Sequence, residues 1–460
     1  MINYDQALSI IKKAARKKTM TLLPIEHAVG RTVAEKYVSH QLIPAFPNSS
    51  MDGFAVKSEE TQTASYQKPI RFPVIGSVVA GDPIPKGENN SGVWEIMTGA
   101  PFPPGMDAAV KIEDVQVFWD KTGRTPLEIE ITQPASKGQN YRNAGEDFQV
   151  GTLILESGTI LMPEHILALA TLGISEISVF EKPTIVIIST GKELAHDAAS
   201  LCPGQIPNST APFLMAALSQ QGVQASHYGS VGDDPADFMR LMSRAVEDNP
   251  DIIITTGGIS MGKEDFVASA LSNLGAEICF HHLAIRPGKP NIFAKFKNGT
   301  VVFGLPGNPV STVVGLRFLI EPFLRELTGR SAEIPLRARL KNDVIKPRNL
   351  RCFFKARFEI VAPEIAEKND FLQIEVQGGQ ASFMVQPLLT ANSWAVLPEE
   401  IEKLETGTWI DVYPLRSFSD NWPGIWNNDL RNSGDFLMPI KSHSSHKISH
   451  GESISHKGCC

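Results

Sequence analysis

Between Asp251 and Ser311 three loops rich in Gly and Pro each follow an apolar run, and their residue types suit one task, the holding of a phosphate and its metal. The first, Thr255-Thr256-Gly257-Gly258, runs on to Ser260, Lys263 and Asp265. The second, Arg286-Pro287-Gly288-Lys289-Pro290, carries two cations, and the third, Gly304-Leu305-Pro306-Gly307-Asn308-Pro309, leads to Ser311. Glycine lets a backbone approach a ligand closely and turn its amide groups toward an anion. The cations offset phosphate charge, and a carboxylate is the ordinary protein ligand of a hard divalent cation.

Two further acidic sites belong with these loops. Glu193, in Ser189-Thr190-Gly191-Lys192-Glu193-Leu194, follows another apolar run and reads equally as a metal ligand or a solvated loop carboxylate. In Gly232-Asp233-Asp234-Pro235 one aspartate is expected to cap a helix, and a paired-carboxylate Mg2+ site is the sharper reading. Far upstream, Asp52 precedes Gly53 in a segment whose plainest reading is an Asp-Gly turn, and Thr98 stands at a strand exit, Thr98-Gly99-Ala100-Pro101. A nucleophile elbow, a zinc-protease motif, a Walker A sequence and a dinucleotide fingerprint are all absent.

The elements that must position these residues follow from apolar patterning. Unbroken apolar strands near 184–189, 251–256 and 300–305 alternate with helices near 211–221, 235–247, 264–274 and 309–327, which predicts a doubly wound α/β unit over 181–330. Ligands of such sheets bind beyond the carboxyl ends of the strands. Short apolar runs at 71–79, 93–97, 108–112 and 127–131 predict a small β domain over 44–137. An amphipathic helix over 3–17 opens a segment, 1–43, expected to join 138–180 in a discontinuous α+β domain. Alternating runs over 331–415 predict a C-terminal β-barrel-like domain, and the Ser-, Asn- and His-rich residues 416–460 a disordered tail.

At 460 residues the chain exceeds one ordinary core, in keeping with this partition. A net charge of −7 and the lack of a basic, aromatic-interleaved stripe argue against nucleic acid as a partner. The opening residues do not read as a signal peptide and no run is long enough to span a membrane, so a cytoplasmic protein is expected. Five scattered cysteines read as reduced thiols.

Taken together, Asn48-Ser49-Ser50-Met51-Asp52-Gly53-Phe54-Ala55, Met97-Thr98-Gly99-Ala100-Pro101, Arg142-Asn143-Ala144-Gly145-Glu146-Asp147, Ser189-Thr190-Gly191-Lys192-Glu193-Leu194 and the three loops resemble, in order and spacing, the molybdopterin molybdenumtransferase (MoeA) family over residues 3 to 414. The resemblance implies a four-domain, Mg2+-dependent homodimer that takes adenylylated molybdopterin and molybdate, releases AMP and yields molybdenum cofactor. It implies that Asp52 and Thr98 face the α/β site of the other subunit. Glu193, Asp233, Asp234 and Asp265 are then the candidates for catalysis, with Glu193, Asp233 and Asp265 on the metal. Gly257, Gly258, Ser260, Arg286, Lys289, Gly307, Asn308 and Ser311 would bind the nucleotide and pterin. The chain departs from the family pattern at Lys263-Glu264 and at His282, which stands where some members carry a lysine; for the His281-His282 pair the plain reading is a strand end.

Overall fold

Asn3 starts the first helix, α1 (Tyr4–Ala14), by accepting the Gln6 backbone N–H at 2.8 Å, while the Gln6 side chain accepts the Asn3 N–H at 3.3 Å. Asp5 lies in the first turn and Lys12 and Lys13 in the last, as the helix dipole favours. The computed structural model describes residues 1–86, 91–195, 201–232, 234–259, 266–361 and 372–416. The expected tail beyond Arg416, and Asp233, Ser260, Lys263 and Asp265, lie outside the described residues.

The expectation that α1 joins residues 138–180 is corrected here. Its buried face, Tyr4, Ala7 and Ile11, packs into the core of the α/β unit, the Tyr4 hydroxyl donates to the Phe318 carbonyl at 3.0 Å, and Arg351 pairs with Asp5 at 2.7 Å. Amphipathic spacing announces that a helix has a buried face but not which apolar surface receives it. The remaining N-terminal residues do pair with the later segment. Met20–Pro24 runs antiparallel to Glu176–Phe180, and Tyr37–Val38 to Leu153–Leu155, with helix α2 (Pro163–Thr171) packed nearby.

Between these halves Pro44 to Lys137 hold a six-stranded sheet, whose inner strand Gly53–Val56 lies between Val93–Ile96 and Ala108–Lys111, antiparallel to both. A Cβ on Gly53 would fall inside the envelope of the Val110 carbonyl oxygen, so that strand entry requires glycine.

The α/β sheet has the spatial order Gln224–Val231, Thr184–Thr190, Ile252–Thr256, Val301–Leu305, Ile292–Lys295, Glu277–His281. Alternate residues of each strand divide between two cores: Ile185, Ile187, Ile252, Ile254, Val301 and Phe303 face one side, and Val186, Ile188, Ile253 and Val302 the other. Both faces are covered, so the strands read as continuous apolar runs. The first face is roofed by α1, by α3 (Thr210–Gln220) and by a continuous helix built of α6 (Pro309–Gly315), a π-helical turn and α7 (Glu321–Leu327); α4 (Pro235–Glu247) and α5 (Phe266–Asn273) cover the second.

The sheet is not wholly parallel as the alternation predicts. Ile292–Lys295 is antiparallel to both its neighbours, because residues 282–291 return the chain at one edge of the sheet without a crossover helix. That return keeps the Arg286 loop on the same edge as the parallel carboxyl ends, since His281 is opposite Ile292 and Ile292 opposite Gly304.

The C-terminal strands close a five-stranded barrel: Arg351–Ile360 pairs with both Leu372–Val376 and Ser393–Leu397, and the ring is completed by Leu336–Leu340 and Trp409–Pro414. Ile285–Arg286 joins its edge in parallel, so the barrel is stitched to the second loop of the α/β sheet.

Candidate active site

Sheet register brings loops far apart in sequence into one cluster. Thr190, Thr256 and Leu305 end three adjacent parallel strands, and the Gly257 N–H donates to the Leu305 carbonyl at 2.9 Å. Gly257 has φ of +87°, and a Cβ there would overlap the Thr190 carbonyl and stand 2.8 Å from its Oγ1. A Cβ on Gly258 would meet the same Oγ1 at 2.9 Å, and one on Gly307 would lie 3.6 Å from the Gly257 Cα. The first and third loops are therefore in contact, and at Gly257 and Gly258 only glycine clears Thr190. The Glu193 carboxylate folds back over Gly191 at the end of the neighbouring strand, its Oε1 2.7 Å from where a Cβ on that glycine would sit.

Arg286 and Lys289 are exposed on the second loop along the same edge. The Leu283 N–H donates to the Lys289 carbonyl at 2.8 Å, and the buried Asn291 amide donates to the Gly288 carbonyl, which shapes the turn between the two cations. His281 and His282 stack with ring centroids 4.0 Å apart at the strand end, and the His282 N–H donates to the Asn291 carbonyl at 2.9 Å.

Other named residues have local duties. Asp234 caps α4, accepting the Ala236 N–H at 2.9 Å. Asn308 precedes α6, and Ser311 in its first turn is 3% exposed, so the loop end of that helix meets solvent through Gly307 and Asn308. Among the described residues no group of three His, Cys, Asp or Glu side chains converges on a metal position; of Glu193, Asp233 and Asp265, Glu193 is described.

In the β domain, Gly53 stands opposite Ile96, which sets Asp52, just before its strand, beside Thr98, just past the neighbouring one. Asp52 Oδ1 accepts the Thr98 N–H at 2.7 Å and the Thr98 hydroxyl at 2.8 Å. These two donors, the backbone one foremost, hold the exposed carboxyl below the usual aspartate range. The result is a fixed anion at neutral pH, an acceptor and not an acid. Antiparallel register across 46 residues explains the pair, which turn chemistry alone does not.

Two features escaped the sequence reading. Asn208, before α3, donates to the hydroxyls of Ser189 at 2.9 Å and Ser230 at 3.1 Å and caps the helix through the Ala211 N–H; His227 lies 3.4 Å from the Ser189 hydroxyl, with its pKa lowered by burial. This polar lattice ties the ends of two strands to α3. In the barrel, Lys355 is fully buried and donates to the carbonyls of Gly379 at 2.6 Å and Met384 at 3.0 Å, while Ser382, between them, accepts the Val310 N–H at 3.0 Å. A barrel lysine thus braces the start of α6. Only the Pro203-Gly204 turn signal ahead of Asn208 and the isolated Lys in a strand hinted at either, since the partners are remote in sequence.

Residues 2–173 match the model of the MoeA N-terminal region (domain I and II), residues 186–326 that of a probable molybdopterin binding domain, and residues 337–415 that of the MoeA C-terminal region (domain IV). The chain is 34% identical to the molybdopterin molybdenumtransferase of Synechococcus elongatus over 90% of its own length and 100% of that relative. It is 31% identical to that of Bacillus subtilis, over 92% and 96% respectively. A crystal structure of a molybdopterin biosynthesis MoeA protein from Pyrococcus horikoshii matches with a TM-score of 0.74 at 31% identity, covering 90% of this chain and 99% of the other.

Proposed function

The chain belongs to the molybdopterin molybdenumtransferase family, transferases of molybdenum cofactor biosynthesis, and we propose on that basis that it joins molybdate to adenylylated molybdopterin and releases AMP. The observation that carries this reading is the glycine cluster at the carboxyl edge, where Gly257, Gly258 and Gly307 leave bare backbone between a carboxylate and two cations. Bare amides and positive charge suit the phosphoanhydride. Arg286 and Lys289 would hold molybdate and phosphate oxygens, and the exposed turn at Gly307 and Asn308 would lie against the nucleotide or pterin.

The donors Glu193, Asp233 and Asp265 are oxygen ligands only, a set that fits a hard cation such as Mg2+ and no soft metal. When bound, the ion would offset the charge that develops as AMP departs. Glu193, already turned in over Gly191, needs no long rearrangement to reach the loop cluster.

Asp52 and Thr98 belong to another domain, and in this reading they serve the loop cluster of a second copy in a homodimer. Thr98 fixes the Asp52 carboxylate in place and lowers its pKa further, and in this reading the anion orients a water or a substrate donor through an accepted hydrogen bond. Purified protein incubated with adenylylated molybdopterin, molybdate and Mg2+ is expected to release AMP only when molybdate is present. AMP release that ignores molybdate, or none at all, would refute the assignment.

A further inference from the structure

A cavity of about 360 Å3 opens between the N-terminal segment and the α/β unit. Lys182 and Pro183 stand just before the strand Thr184–Thr190, and Gly222 and Val223 just before its neighbour Gln224–Val231, so the cavity lies at the amino edge of the sheet, opposite the loop cluster. Arg31 reaches it from the N-terminal segment and Arg330 from the end of α7. Three cations thus line one cavity, and among the described residues no carboxylate does. Ile160, Met162, Val223 and Leu324 supply an apolar wall beside them.

Cations near a helix end commonly serve its last carbonyls. Here α3 and α7 both end on the cavity, but each is closed by its own backbone. The Val223 N–H donates to the Leu218 carbonyl at 3.1 Å and the Gly222 N–H to that of Ser219 at 2.9 Å, with φ of +69° at Gly222. The Arg330 N–H donates to the Arg325 carbonyl at 2.9 Å and the Gly329 N–H to that of Glu326 at 3.3 Å, with φ of +64° at Gly329. Each helix end contributes about half a negative charge, so the two together offset about one of the three cations and leave about +2. Arg31 donates to the Phe180 carbonyl at 2.8 Å, and burial lowers its pKa against the opposing pull of Glu181, whose carboxylate accepts from the Thr19 hydroxyl. Neither Arg31 nor Lys182 makes an ion pair among the described residues.

A phosphate monoester carries about −1.5 to −2 at neutral pH, which matches that excess, and a guanidinium can hold its oxygens in pairs. The cavity is larger than a bare phosphate needs and falls at the small end of ligand pockets, roughly 300–1,000 Å3. We propose that it is a binding site for a small organic phosphate, with the anionic head against Arg31, Lys182 and Arg330 and the organic part on the apolar wall. Bound there, the ligand joins the segment that carries the Asp52 domain to the α/β unit.

The test is calorimetric titration of the full chain carrying Arg286→Gln and Lys289→Gln, so that the loop cluster does not capture the probe. Phenyl phosphate is expected to saturate one site per chain, inorganic phosphate to bind roughly tenfold more weakly for want of the apolar contact, and benzyl alcohol not to bind. Adding Lys182→Gln, a change at an exposed side chain, should weaken phenyl phosphate roughly tenfold, and Arg31→Gln at least as much. No saturable binding of phenyl phosphate, equal binding of inorganic phosphate or benzyl alcohol, or binding indifferent to Lys182→Gln would each overturn the proposal.

Discussion

Gly257→Ala isolates the contact on which the loop cluster depends. Gly257 and Gly275 both have left-handed φ, +87° and +84°, but a Cβ on Gly275 meets nothing within 4 Å, whereas one on Gly257 overlaps Thr190. An alanine at either site therefore incurs the left-handed backbone cost of about 1–2 kcal/mol. At Gly257 the strand ends must also part, and overpacking of this kind adds about 1–3 kcal/mol. The two strands concerned, Thr184–Thr190 and Ile252–Thr256, lie in the middle of the sheet, so their amides exchange through opening of the whole α/β unit. Exchange measured by mass spectrometry reads that unit alone and avoids treating a multidomain chain as a single transition. The extra term predicts exchange roughly 5- to 150-fold faster in Gly257→Ala than in Gly275→Ala, at about 1.4 kcal/mol per factor of ten. AMP release should also fall in the first variant and not in the second. Equal acceleration in the two variants would show that backbone conformation, and not approach to Thr190, is why glycine stands at 257.

Asp52→Asn should abolish AMP release while leaving the unfolding midpoint unchanged, because the side chain is exposed and the amide oxygen of asparagine can still accept from the Thr98 N–H and hydroxyl; loss of fold in parallel with rate would contradict the role given to it. Thr98→Val removes the hydroxyl donor and keeps the backbone one, so the Asp52 carboxyl pKa should rise part of the way to its ordinary value in an NMR titration, and no rise would dismiss the hydroxyl as a cause. Burial lowers the His227 pKa, so below the ordinary value near ~6.5 the unfolded chain takes up a proton that the folded chain resists. Stability should decline as pH falls from ~6.5 toward the lower folded value, and His227→Gln should flatten that decline in denaturant midpoints at about pH 7.5 and about pH 5.5. Lys355→Met leaves buried carbonyls without their donor and should cost about 2–4 kcal/mol in barrel stability, read by the fluorescence of buried Trp394; it should also speed exchange at the Val310 amide.

Periodicity and loop composition are local properties, and what they announce was legible from the residues alone. The apolar runs at 184–190, 252–256 and 301–305, the proline that opens α6 and the glycines at the strand ends state an α/β sheet with glycine-rich loops at its carboxyl edge. Order and spacing of the motifs likewise pointed to the family that the comparisons established. Where each apolar face is buried is a different matter, since every buried surface in the chain competes for it. The core of the α/β unit received α1, although the helix was expected to join residues 138–180. Register across antiparallel strands brought Thr98 to Asp52, a reversal without a crossover turned Ile292–Lys295 against its neighbours, and a buried lysine tied the barrel to α6. Each of those outcomes rests on contacts between residues far apart along the chain, whose energies exist only once the backbone has closed around them.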